Sequence, residues 1–125
     1  MKPRMLIVDD DGAARHSLRI VLEAYGYSVR DFASAEDLAQ DPMEADSCLI
    51  LDVDLPGASG LDMLRRLRAL GSRVPVVLVS GCATDTIRAE AACLEALAFF
   101  EKPIDIDALL RTIDSDAELA ALDVS

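Results

Sequence analysis

Apolar residues in this chain gather in five short runs, at 5–8, 28–32, 48–51, 74–79 and 97–100, all but the second halted by a polar or charged residue. Runs of this length without two-residue alternation fit strands covered on both faces. The second run holds Arg30 and Asp31 and is expected nearer an edge of the sheet. Between the runs the spacing changes to three and four residues. Ala14, Leu18, Val21, Leu22 and Tyr25 share one face of a helix over 12–25, which Gly26 closes. Ser34, Ala35, Glu36 and Asp37 have the spacing of a capping box and open a short helix to about Gln40, stopped at Asp41-Pro42. Leu61, Leu64 and Leu67 mark a third helix that ends at Gly71. Ile87, Ala91 and Leu94 mark a fourth over 84–94, and Leu109, Leu110 and Ile113 a fifth, capped by Asp105.

Five strand-then-helix units predict an α/β domain: one parallel sheet with helices on both faces, joined by right-handed crossovers. All strands then point the same way. Asp9, Asp10, Asp52, Ser80 and Lys102 each lie at a strand's C-terminal end, so they are expected to meet along one edge of the sheet, where ligands bind in such folds.

Length and charge narrow the setting. The 125 residues suit one domain spanning 1–125, with 115–125, acidic and alanine-rich, read as a helix extension or linker. A net charge of −11 repels a phosphate backbone, so direct nucleic-acid binding is not expected. No stretch has the length of a membrane span, and the first residues lack a signal-type apolar region. Cys48, Cys82 and Cys93 are odd in number and lack paired ligand spacing, as reduced thiols of a cytoplasmic protein would be.

Carboxylates crowded at one edge repel, by about 1 kcal/mol per pair at ~4 Å in water and several times that in a crevice. A cation must sit among them. Mg²⁺ fits, being a hard ion that takes carboxylate oxygens, a carbonyl and waters. Lys102 adds a fixed positive charge and Ser80 a hydroxyl, and together these parts suit holding a phosphoryl group against a carboxylate nucleophile. Other polar residues have plainer readings. Asp11 and Asp105 serve as helix caps, His16 faces solvent, and Arg65, Arg66 and Arg68 form a solvated helix face. By spacing alone Phe99 is a packing residue.

Four motifs in order, Val8-Asp9-Asp10, Leu51-Asp52 with Leu55-Pro56-Gly57 and Ser59-Gly60, Val79-Ser80-Gly81, and Phe99-Phe100-Glu101-Lys102-Pro103, resemble the receiver domain of two-component response regulators. The resemblance covers about residues 4–114, and residues 26–36 are similar to receivers of the FixJ type. It implies a flavodoxin-like (βα)5 fold with strand order 2-1-3-4-5. By the same resemblance, Asp52 accepts a phosphoryl group from a sensor histidine kinase. Asp10 and Asp52 ligate Mg²⁺ directly, Asp9 does so through water, and Asp54 contributes its backbone carbonyl. Lys102 binds a phosphoryl oxygen. Ser80 swings toward the phosphate, Phe99 turns into the space it leaves, and the surface of the fourth helix, fifth strand and fifth helix changes. The resemblance further implies a cis Lys102-Pro103 bond, room for the phosphate beside Gly81, and an output domain or partner. Dimerisation on phosphorylation is compatible with it. Such a domain phosphorylates and dephosphorylates itself and is not a multiple-turnover metabolic enzyme.

Two departures stand out. Glu95-Ala96 occupies a place where the family often has Gly-Ala, so the fourth helix is expected to end differently or run on. Asp54 and Cys82 fill positions that influence how water reaches the acyl phosphate. Two rival readings are a small haloacid-dehalogenase-like phosphatase using Asp52 and Asp54, and a degenerate receiver acting only as an interaction module. The first requires its acidic metal pair after the lysine, whereas Asp9-Asp10 comes first. The second leaves a complete set of chemical positions unexplained.

Overall fold

The computed structural model describes residues 2–122, with side chains through Ala117. Five strands, β1 (Arg4–Val8), β2 (Ser28–Phe32), β3 (Ser47–Asp52), β4 (Val76–Ser80) and β5 (Ala98–Glu101), form one sheet in the order β2-β1-β3-β4-β5. Every neighbouring pair is parallel. Five helices alternate with them: α1 (Gly12–Ala24), α2 (Ala35–Ala39), α3 (Gly60–Ala69), α4 (Asp85–Cys93) and α5 (Ile106–Leu122). α5 runs to Leu122, and residues 123–125 lie outside the described part. No described helix is long and apolar enough to cross a membrane.

Side-chain alternation along buried strands sends successive residues to opposite faces, which gives the sheet two cores. Leu49, Leu51, Val76 and Leu78 meet Leu38 of α2, Leu61 and Leu64 of α3 and Ala91 of α4 on one face. Cys48, Ile50, Val77 and Val79 meet Leu18 and Leu22 of α1 and Leu109, Leu110 and Ile113 of α5 on the other. All six residues of β3 are buried, as expected of its unbroken apolar run. Fully buried leucines such as Leu22, Leu38, Leu64 and Leu109 each contribute roughly 1.5–3 kcal/mol of transfer free energy.

Local chemistry sets the helix ends. Asp11, Ser34, Ser59 and Thr84 cap α1 to α4 by accepting from first-turn amides, and Asp105 accepts from Ala108 N. The reciprocal capping box belongs to Ser59 and Asp62. At Ser34 only the serine half forms, so the box anticipated there is incomplete. α1, α3 and α4 all end in the same two-bond turn. Its bonds are Gly26 N to Glu23 O and Tyr27 N to Leu22 O, Gly71 N to Arg68 O and Ser72 N to Leu67 O, and Glu95 N to Ala92 O and Ala96 N to Ala91 O. Gly26 and Gly71 take the left-handed backbone this turn demands, and so does Glu95, at φ +57°. The fourth helix therefore neither runs on nor ends differently, contrary to the sequence expectation. Arg68 explains how. Its guanidinium donates to the carbonyls of Leu94 and Glu95 at 2.9 and 3.1 Å, and to those of Ser72 and Val74 at 3.1 and 2.9 Å.

Other positions also differ from the sequence reading. β4 starts at Val76 instead of residue 74, because Pro75 has no amide to give the ladder. Tyr25 follows the last turn of α1 and stays exposed. Arg65 and Arg68 are not simply solvated: Arg65 bridges Asp62 and Glu90, and Arg68 joins the ends of α3 and α4.

Candidate functional site

Register places the expected residues. Val8 pairs with Leu51, so Asp9 follows β1 level with Asp52 at the end of β3. Asp52 pairs with Val79 and Ser80 with Glu101, which sets Ser80 one step farther along and Lys102 one step beyond that. Lys102 is two strands from Asp52, about 9–10 Å across the sheet, so only a long side chain bridges the gap. It does: Lys102 Nζ lies 2.6 Å from Asp52 Oδ2 and 3.6 Å from Asp9 Oδ2. Asp52 is 3% exposed and Asp9 13%.

Burial holds the Asp9 carboxyl above the usual carboxylate range. The charge of Asp52 adds to this, while the Asp11 amide and Lys102 pull the other way. For Lys102 burial acts downward, but its hydrogen bond to Asp52 and the charges of Asp52, Asp9 and Asp54 prevail and raise it. Carboxylate oxygens of Asp9, Asp10 and Asp52 lie within 4.8 Å of one another. An all-oxygen set of carboxylates gathered at one sheet edge has the chemistry that a hard divalent cation such as Mg²⁺ takes.

The surrounding loops are braced. Arg15 Nη1 donates to the Asp9 carbonyl at 2.7 Å while its Nε pairs with Asp31 at 3.1 Å, fixing the turn that carries Asp9 and Asp10. The Asp54 amide donates to Asp52 Oδ1 at 2.8 Å. A Cβ on Gly60 would lie 2.4 Å from the Asp52 carbonyl oxygen, so only glycine lets α3 start there. A Cβ on Gly81 would meet nothing within 4 Å, which leaves the expected open space beside Ser80.

Ser80 is fully buried. Its hydroxyl donates to Asp54 Oδ2 at 3.1 Å and accepts from Cys82 N at 3.0 Å, and Gly81 N donates to the same Asp54 oxygen at 3.2 Å. The resemblance assigned Asp54 a backbone role toward Mg²⁺ and an influence on water, but no contact with Ser80. Its carboxylate contacts went unforeseen because spacing does not say which way a loop side chain turns. Phe99 pairs with Leu78, hence shares a sheet face with Ser80 one diagonal step away. It is partly exposed, with the Arg88 guanidinium 4.9 Å from its ring centre. The Lys102-Pro103 bond is cis, as the resemblance implied.

This arrangement and the family comparison agree: the chain belongs to the response regulator receiver domain family, whose model matches residues 5–114. It is 37% identical over 115 residues to the response regulator protein TodT of Pseudomonas putida, covering 91% of this chain and 51% of TodT. With the transcriptional regulatory protein FixJ of Azorhizobium caulinodans it shares 35% identity over 108 residues, covering 86% of this chain and 51% of FixJ. A solved CheY-like receiver domain from Methanospirillum hungatei JF-1 superimposes with a TM-score of 0.88 at 28% identity, covering 98% of this chain and 99% of that one. The chain spans about half the length of these curated relatives. Membership sets aside the phosphatase reading, and nothing in the geometry favours a degenerate receiver.

Proposed function

We propose that Asp52 is the phosphoacceptor of this receiver, in a core of about residues 4–114 that α5 extends. The observation that carries the reading is the 2.6 Å Lys102–Asp52 pair beside the oxygens of Asp9 and Asp10. In the reaction, an Asp52 oxygen attacks the phosphorus of a sensor kinase's phosphohistidine in line. The P–N bond breaks, its electron pair returns to the imidazole, and an acyl phosphate remains. Lys102 exchanges its contact with Asp52 for one with a phosphoryl oxygen, Ser80 donates to another, and the Asp52 carbonyl stays fixed over Gly60. Asp9, Asp10, Asp52 and the Asp54 carbonyl would hold Mg²⁺, which when bound neutralises phosphoryl charge.

The diagonal placement of Phe99 supports its turning inward once Ser80 moves, remodelling α4, β5 and α5. A receiver of this kind acts in the cytoplasm, takes its phosphoryl group from a sensor histidine kinase and passes the change to an output domain or separate partner, with homodimerisation through the altered surface as one form of output. Acetyl phosphate with Mg²⁺ tests the chemistry. Intact-mass measurement should show one added phosphoryl group, absent in Asp52→Asn and lost on hydroxylamine treatment. Equal labelling of the Asn variant would overturn the assignment.

A further inference from the structure

We infer that Asp54 is a positioning residue for Ser80: in the unmodified protein its carboxylate engages the hydroxyl that an acyl phosphate on Asp52 must recruit. The inference rests on the phosphoacceptor reading and deepens it. Ser80 is buried, and its hydroxyl has one proton, which points to Asp54 Oδ2 at 3.1 Å while Cys82 N occupies its acceptor side. The Gly81 amide points to the same oxygen at 3.2 Å. Two donors from the end of β4 thus converge on a single anionic oxygen, the way donors gather on an oxyanion. The Asp54 amide meanwhile donates to Asp52 Oδ1 at 2.8 Å, so both loops close around the acceptor.

One hydroxyl proton serves one acceptor. Whatever Ser80 gives to a phosphoryl oxygen it withdraws from Asp54, and the exposed Asp54 carboxylate must then turn to water. The added negative charge on Asp52 drives Asp54 in the same direction. Asp54 therefore holds Ser80 and the start of the β4–α4 loop in the resting position and opposes the phosphorylated one. A hydrogen bond to a charged group has the strength to change the balance by on the order of tenfold.

Beryllofluoride with Mg²⁺ stands in for the phosphoryl group, and its affinity is read by calorimetry. Asp54→Ala should bind the mimic about tenfold more tightly than the unmodified protein, with Asp54→Asn in between because its amide oxygen still accepts. Loss of negative charge alone would also tighten binding, so the comparison is repeated on a Ser80→Ala background. There the gain from Asp54→Ala should shrink to about twofold. An equal gain in both backgrounds, or none in either, overturns the proposal. If the unmodified protein binds no mimic, the phosphoacceptor reading fails instead. The resting contact is checked separately: without metal, the Gly81 amide proton should move upfield in Asp54→Ala, and an unmoved resonance denies the contact.

Discussion

Asp31 shows how much a residue's meaning depends on neighbours the sequence does not name. In β2 it reads as a polar interruption of an apolar run, yet it accepts from Arg15 at 3.1 Å and Arg19 at 2.7 Å, and Arg15 in turn holds the Asp9 carbonyl. Burial alone would raise the Asp31 carboxyl, but the two guanidinium groups outweigh it and leave it below the usual range. A lowered folded-state pKa gives stability that is present above the unfolded value near 3.8 and lost as the pH falls through the folded one. Asp31→Asn should therefore cost up to about 1 kcal/mol at neutral pH, since the pair is partly screened, and nearly nothing at pH well below 3.8. Urea titrations at the two pH values check this. Asp9, Asp10, Asp52 and Lys102 were legible in the sequence because strand ends in a parallel sheet must meet. The Asp54 carboxylate and the Arg15 brace were not, since both depend on which way a side chain leaves its loop or helix.

Among the elements, strands and helices were legible almost throughout, because unbroken apolar runs and three-to-four spacing are unambiguous in a chain with short connections. The end of α4 is the exception. Sequence spacing identified a missing glycine but could not supply the compensation, which comes from Arg68, 26 residues earlier than the Leu94 carbonyl it reaches. Arg68→Met should destabilise by roughly 2–3 kcal/mol, because charge-assisted bonds to four carbonyls vanish together. Arg68→Lys should recover little of that, an ammonium lacking the planar fork, and the exposed Arg66→Ala should stay within about 0.5 kcal/mol. Glu95→Gly should stabilise by about 0.5–1 kcal/mol: relief of the left-handed backbone outweighs loss of the exposed Arg73–Glu95 pair. Midpoints of chemical denaturation separate the four variants.

Across the whole molecule, protection is uneven. β1, β3 and β4 sit between two cores with nearly every residue buried, whereas β5 is only partly covered and α4 buries Ala91 alone. Native-state hydrogen exchange should find the β3 and β4 amides opening only with global unfolding, and the α4 and β5 amides opening at distinctly lower free energy. Uniform protection would contradict this picture. That side is the one expected to change shape, and its thin cover follows from the shortness of β5 and the single buried position of α4.

The bare α-carbon of Gly60 gives that unevenness a direction. With backbone pressed against backbone under Asp52, the main chain that carries the acceptor has no room to shift toward α3, while past Gly81 lies vacant space. An adduct on Asp52 is therefore expected to be accommodated by the β4–α4 side and not by the anchored start of α3.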